Sequence, residues 1–171
     1  MQANKNKKQF KKAFSLVELL VVIAIMFLMA AVILVMSNRN LANQEVKIAA
    51  QQIVSQLRTL QNNALTGKKI QDTGGTLVSA CSYTFSSTAN NNFFTLSYKD
   101  CSGGDINTNY PTVDLNKLHV TLSGIAVSFS SPYAGISTTK STLTITTSRT
   151  TVNQATKTIT IDSSSGNIYS N

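Results

Sequence analysis

From residue 19 to residue 36 the chain reads LLVVIAIMFLMAAVILVM, eighteen apolar residues without a break. At about 1.5 Å per residue this run nearly crosses a hydrocarbon core of ~30 Å, and Phe14 to Glu18 complete the span. Beyond it the pattern turns one-sided. Val46, Ala49, Ala50, Ile53, Leu57, Leu60 and Ala64 recur at spacings of three and four, while Gln44, Lys47, Gln51, Ser55, Arg58 and Asn62 fall on the other face. Gly67 follows as a C-cap, so the spacing predicts one helix from Phe14 to Thr66. The first proline is Pro111, and nothing in this stretch kinks the helix.

After Gly67 the period falls to two. Residues 76–85 and 93–98 flank the turn-rich STANNN and predict a hairpin. LHVTL at 118–122 and IAVSF at 125–129 alternate around Gly124, which puts His119 inside a strand. Leu143 with Ile145, Ile159 with Ile161, and Ile168 with Tyr169 predict three more short strands, with Gly166-Asn167 turning between the last two. A helix followed by strands indicates an α+β fold, with antiparallel strands packed on the second half of the helix. The expected divisions are a leader at 1–13, a membrane helix at 14–36, its amphipathic continuation at 37–66 and a β-rich domain at 67–171. There is no repeat of fixed period, although residues 137–151 approach low complexity.

Charge changes the picture at the N-terminus. The formal charge is +8, but five of the fifteen basic residues are Lys5, Lys7, Lys8, Lys11 and Lys12, and without them the charge is 8 − 5 = +3. The lysines therefore argue for topology rather than for a polyanion partner. By the positive-inside rule they hold the N-terminus in the cytoplasm, and everything from about Ser37 faces outward. Charged residues make up 13% of the chain, with Ser, Thr and Asn filling polar positions after residue 70, a balance that suits an exported domain better than a cytosolic enzyme. A secretory signal has a shorter apolar region, of about 7–15 residues, and a small-residue exit that is missing here. A plain anchor explains the length and the lysines but not Glu18, since a charge at the centre of a spanning helix costs roughly 2.5–3.5 kcal/mol and less near its boundary.

The segment KKAFSLVELLVVIAI resembles the class III signal peptide of type IV prepilins and type II secretion pseudopilins: a basic leader, a small residue, an aromatic, then a glutamate. The resemblance implies that a prepilin peptidase cuts between Ala13 and Phe14 and that the new amine of Phe14 is methylated, both reactions done to this chain. It implies that Glu18, the fifth mature residue, pairs with the N-terminal amine of a neighbouring subunit. In a low-dielectric helix bundle such a pair fixes register, because a misplaced subunit leaves a charge alone. Two positions depart from the family's pattern. Ala13 stands where Gly is usual, which bears on processing, and Val35 stands where major pilins often carry a helix-bending Pro. AAQQIVSQLRTLQNNALTGKK is similar to the matching helix of GspH/FimT-type minor pilins. The implied function is that of a structural subunit of a type IV pilus or a type II protein-secretion pseudopilus, without a cofactor. Its implied partners are other pilin or pseudopilin subunits, the prepilin peptidase/methyltransferase, an inner-membrane assembly platform and, before assembly, membrane lipid. The alternatives are a DNA-binding minor pilin of an uptake system and a membrane-anchored binding domain that never polymerises.

Other chemistry is sparse. Cys81 and Cys101 are the two cysteines, and with an outward topology they form either a bridge near the ends of the predicted hairpin or a pair of free thiols. DINTNYPTVDLN places Asp105, Asn107 and Asn109 at the first EF-hand ligand positions, but Tyr110 and Asn116 occupy the glycine and glutamate positions, so the motif fails. Asp100, Asp105 and Asp114 remain weak calcium candidates. His119 is the sole histidine, with neither a partner for a metal cluster nor a G-x-S-x-G nucleophile, and no Gly-rich phosphate loop occurs, so an enzyme is not expected. For DNA, Lys68 and Lys69 form the one adjacent pair outside the leader; Lys117, Lys140, Arg149 and Lys157 are dispersed and would have to converge by folding.

Overall fold

Neither proline nor glycine occurs between Ser15 and Thr66, and the computed structural model carries one helix there, α1 (Leu16–Thr66). Described are residues 15–102, 104–106, 112–149 and 154–171, with the backbone alone at 34–39. The chain divides into two compact units between Ser37 and Asn38.

In the second unit α1 ends at Gly67, whose φ of 59° is the left-handed conformation that spares a Cβ-less residue its steric cost. The Gly67 amide donates to the Ala64 carbonyl and the Lys68 amide to the Asn63 carbonyl, the paired bonds of a Schellman cap. All seven residues of the predicted apolar stripe are buried, and all six of the opposite face are exposed.

The strands that follow are β1 (Lys69–Gln71), β2 (Leu77–Ser79), β3 (Ser82–Ser87), β4 (Phe93–Lys99), β5 (Val113–Asp114), β6 (Val120–Leu122), β7 (Ile125–Ser130), β8 (Gly135–Thr138), β9 (Thr142–Thr147), β10 (Thr156–Ile161) and β11 (Ile168–Ser170). They form a two-stranded sheet β1-β2, a four-stranded sheet β11-β10-β9-β6 and a five-stranded sheet β5-β4-β3-β7-β8, with antiparallel pairing throughout. The fold is α+β and pilin-like, a long N-terminal helix with antiparallel sheets.

One apolar core joins α1 to the two larger sheets. Tyr83, Phe85, Phe94, Val127 and Phe129 come from the five-stranded sheet, and Val120, Leu143, Ile145 and Ile159 from the four-stranded one. The alternation of β3, β7 and β9 aims every second residue inward. Ala49, Ala50 and Ala64 are small enough to let the strands approach the helix, while Ile53, Leu57 and Leu60 fill the space and contribute about 1.5–3 kcal/mol each by burial.

Several expectations need correction. The strand read over 76–85 is two strands: Leu77–Ser79 pairs with β1 in its own small sheet, whereas Ser82–Ser87 lies between β4 and β7. His119 is not in a strand. Asn116–Leu118 forms a 3-10 turn, His119 follows it at a positive φ of 45°, and β6 begins at Val120. The strands β1, β5 and β8 were not legible: each is short, and the inward positions of β8 carry no regular apolar signal.

Candidate functional site

The N-terminal part of α1 is the most conspicuous surface of the first unit. Leu16–Ile33 has a mean hydropathy of 3.0, and no part of it is buried. Leu16 is 80% exposed and Phe27 73%, values that water tolerates poorly for so long a run and that lipid or other apolar helices would satisfy. Glu18 lies in the first turn, where the Ser15 carbonyl accepts the amides of Glu18 at 3.0 Å and Leu19 at 3.2 Å. A carboxylate there meets the positive end of the helix dipole, so the helix itself gives Glu18 a favourable position. The Ala13–Phe14 junction lies outside the described residues, which begin at Ser15.

In the second unit a carboxylate occupies the buried stripe of α1. Glu45 sits three residues after Ala42 and four before Ala49, both buried, and is itself only 9% exposed. Arg149, just past β9, donates from Nε to Oε2 and from Nη2 to Oε1, each at 2.7 Å. This two-pronged pair matches the planar guanidinium to the planar carboxylate. The hydrogen bond from Arg149 holds the Glu45 carboxyl below its ordinary 4.5 against the opposing effect of burial, and the charges of Arg149 and His119 act in the same direction as the bond. Sequence reasoning missed this pair. The available signal was a charged residue on an apolar stripe, which demands a partner without naming it.

The same contact removes Arg149 from the set of dispersed cations considered for DNA. The adjacent Lys68 and Lys69 are exposed where α1 passes into β1, and Tyr83 reaches them from the inner face of the five-stranded sheet, donating its hydroxyl hydrogen to the Lys68 carbonyl. Lys99 is exposed as well, but the alternation of β4 puts it on the opposite face of that sheet from Tyr83.

The calcium candidates do not converge. Asp105 bridges to Lys99 at one end of β4, where Asp100 Oδ1 accepts the Ser102 and Gly104 amides of its own turn. Asp114 pairs with Phe93 at the other end, about 20 Å away along the strand, and accepts the Asn116 amide. Among the described residues no three His, Cys, Asp or Glu side chains are grouped to hold a metal. Cys81 and Cys101 are joined by a disulfide, with Cα atoms 5.0 Å apart, across the end of the β3–β4 hairpin. His119 is exposed beside Asn92 and Asn116, and its carbonyl accepts the Ser148 amide.

Comparison with known proteins bears on the N-terminal segment. Residues 8–34 match the family model of the prokaryotic N-terminal methylation motif, a feature of structural rather than enzymatic proteins. No curated protein and no solved structure matches the chain. With this motif on a bare apolar helix that fits a membrane-anchored pilin, and with an α+β fold behind it, the chain fits the type IV pilin superfamily.

Proposed function

We propose that the chain is a minor pilin or pseudopilin subunit, cut between Ala13 and Phe14 by a prepilin peptidase, methylated on Phe14 and built into a fibre. The observation that carries this reading is the coincidence of the methylation motif at residues 8–34 with the unburied apolar helix at Leu16–Ile33. In this reading the lysine-rich leader stays in the cytoplasm, the β-rich domain faces outward, and the apolar helix moves from lipid into a bundle of like helices. Glu18 is then the one charge in the bundle's apolar stretch, and its partner is the Phe14 amine of a neighbour. The intact mass of the chain purified after co-expression with a prepilin peptidase tests the reading. The expected species begins at N-methyl-Phe14; a chain that retains Met1 overturns it.

A second reading, an exported domain that binds nucleic acid, draws on the exposed and adjacent Lys68 and Lys69 where α1 passes into β1. Binding of this kind weakens steeply with salt, by a slope set by the number of phosphates contacted. Mobility-shift titration of the full chain at low and moderate salt separates it from the first reading, with no retardation at low salt counting against it.

A further inference from the structure

The polar face of α1 is not open surface along its whole length. Between Gln51 and Asn62 it forms one wall of a groove of about 590 Å³ whose other wall is β11, the edge strand of the four-stranded sheet. That volume lies within the range of small-ligand sites, roughly 300–1,000 Å³. The helix wall presents Gln51, Ser55, Arg58 and Asn62; the strand wall presents Tyr169, a residue 46% exposed. Val54 is the one aliphatic side chain in the lining.

The hydrogen-bonding state of these groups is informative. The side chains of Gln51, Ser55, Asn62 and Tyr169 make no hydrogen bond within the described residues. Arg58 donates from Nη2 to the Ile168 carbonyl at 3.3 Å, which fixes the guanidinium at the groove wall and leaves most of its donors unused. No carboxylate among the described residues pairs with it. The groove therefore combines one oriented cation, two carboxamides, the hydroxyls of Ser55, Thr59 and Ser170, and an aromatic face.

Each alternative occupant lacks something it requires. An apolar ligand would cover Gln51, Arg58 and Asn62 without giving them hydrogen-bond partners. A metal ion calls for carboxylate, imidazole or thiolate ligands, and the lining has none of them. A nucleic-acid strand calls for several cations in a row, where this groove has Arg58 alone. An added β-strand would pair with the free edge of β11, but Arg58 already covers the Ile168 carbonyl on that edge.

We propose that this groove binds a short anionic oligosaccharide of about two or three sugar rings, a length in keeping with its volume. Planar carboxamides and a guanidinium pair with adjacent ring hydroxyls, which both donate and accept. The Tyr169 ring packs against the apolar face of a sugar while its hydroxyl stays wet. Arg58 supplies the counter-charge for a uronate carboxylate, ideally through two parallel bonds.

The test uses the full chain in detergent micelles, titrated by calorimetry and by ligand-observed NMR. Trigalacturonate is the probe, and maltotriose and triglutamate are the neutral and peptide comparisons. Trigalacturonate is expected to bind with a Kd of about 0.1–1 mM, and maltotriose and triglutamate each at least ~10-fold more weakly. Arg58→Gln and Tyr169→Ala, both at exposed positions, each weaken trigalacturonate by about 10-fold with an unchanged circular dichroism spectrum. Lys47→Gln, a cation on the same helix outside the groove, leaves binding unaltered. The proposal is overturned by any of three results: no binding of trigalacturonate up to about 10 mM, equal binding of maltotriose or triglutamate, or full binding retained in both groove variants.

Discussion

Arg149 grips Glu45 through two parallel hydrogen bonds of 2.7 Å, tying α1 to a segment 104 positions later in the chain. Glu45 lies on the buried stripe, so loss of Arg149 strands its carboxylate beside the core, while loss of Glu45 leaves the half-buried guanidinium without its two-pronged acceptor. Glu45→Gln and Arg149→Gln are each expected to lower the thermal midpoint of the full chain in detergent by several degrees. The double replacement Glu45→Leu with Arg149→Met should recover most of that loss, because a packed apolar pair often replaces an ion pair at little cost. Strictly additive losses when Glu45→Gln and Arg149→Gln are combined in a double-mutant cycle would show that the two residues are not coupled.

The same carboxylate sets part of the response to acid. Glu45 is held below its ordinary 4.5 chiefly by the Arg149 hydrogen bond, and Asp162 is held well below its ordinary 3.8 by the hydroxyls and amides of Ser164 and Ser165. A group with a depressed folded pKa contributes stability that is present above its unfolded value and lost as pH falls through the folded one. Stability should therefore decline as pH drops below about 4.5 and continue to decline as Asp162 takes up its proton. Glu45→Gln and Asp162→Asn should each flatten part of that decline. A wild-type unfolding midpoint that stays constant from about pH 5 to pH 2 would contradict this assignment.

Gly67 ends α1 at a φ of 59°. A Cβ added there would meet only the Ser131 hydroxyl oxygen, at an ordinary 3.7 Å, so substitution is limited by backbone conformation rather than by space. Gly67→Ala should cost roughly 1–2 kcal/mol, the left-handed penalty for an L-residue. Denaturant titration measures it, and a neutral result would mean that the cap relaxes to another geometry.

What the sequence made legible was local. The stripe from Val46 to Ala64 carries its 3.6-residue period without interruption, and Gly67 marks its end by the conformation that glycine permits. The apolar run, the lysines and Glu18 identified the N-terminal segment because they are contiguous, and the matched motif falls on those residues. What escaped was long-range or too short to have a period. Glu45 needed a partner 104 residues away, and nothing in sequence selects Arg149 from the other cations. His119 fitted an alternating pattern that the 3-10 turn at Asn116–Leu118 interrupts. Arg58 and Asn62 were read correctly as polar and exposed, but that they line a groove depends on where β11 comes to rest.

The Cys81–Cys101 disulfide spans 20 residues and holds the β3–β4 hairpin at the end where Lys99 lies. On the loop-entropy argument, closing a loop of this size contributes about 3 kcal/mol by restricting the unfolded chain. Reduction, or replacement of both cysteines by serine, should lower the unfolding free energy by about that amount, read from urea curves with and without reductant. Two free thiols by non-reducing mass analysis of protein from an oxidising compartment would remove the bridge from the account.

Glu18 separates an anchor from an assembling helix. It belongs to the first of the two units and is not among the core residues, which run from Val46 to Ile168, so its replacement should leave the β-rich domain folded. Glu18→Ala also removes a polar group from an apolar helix, which should leave membrane insertion intact or improve it. If its carboxylate pairs with the Phe14 amine of a neighbour, Glu18→Ala should sharply reduce incorporation into sheared fibres while the membrane pool is retained. Glu18→Gln keeps the shape and a hydrogen-bonding carbonyl but not the charge, so it should fail nearly as badly; rescue by glutamine would point to hydrogen bonding rather than charge pairing. Unchanged incorporation of both variants would reduce Glu18 to a residue stabilised by its own helix, held at the N-terminal turn by Ser15 and the helix dipole alone.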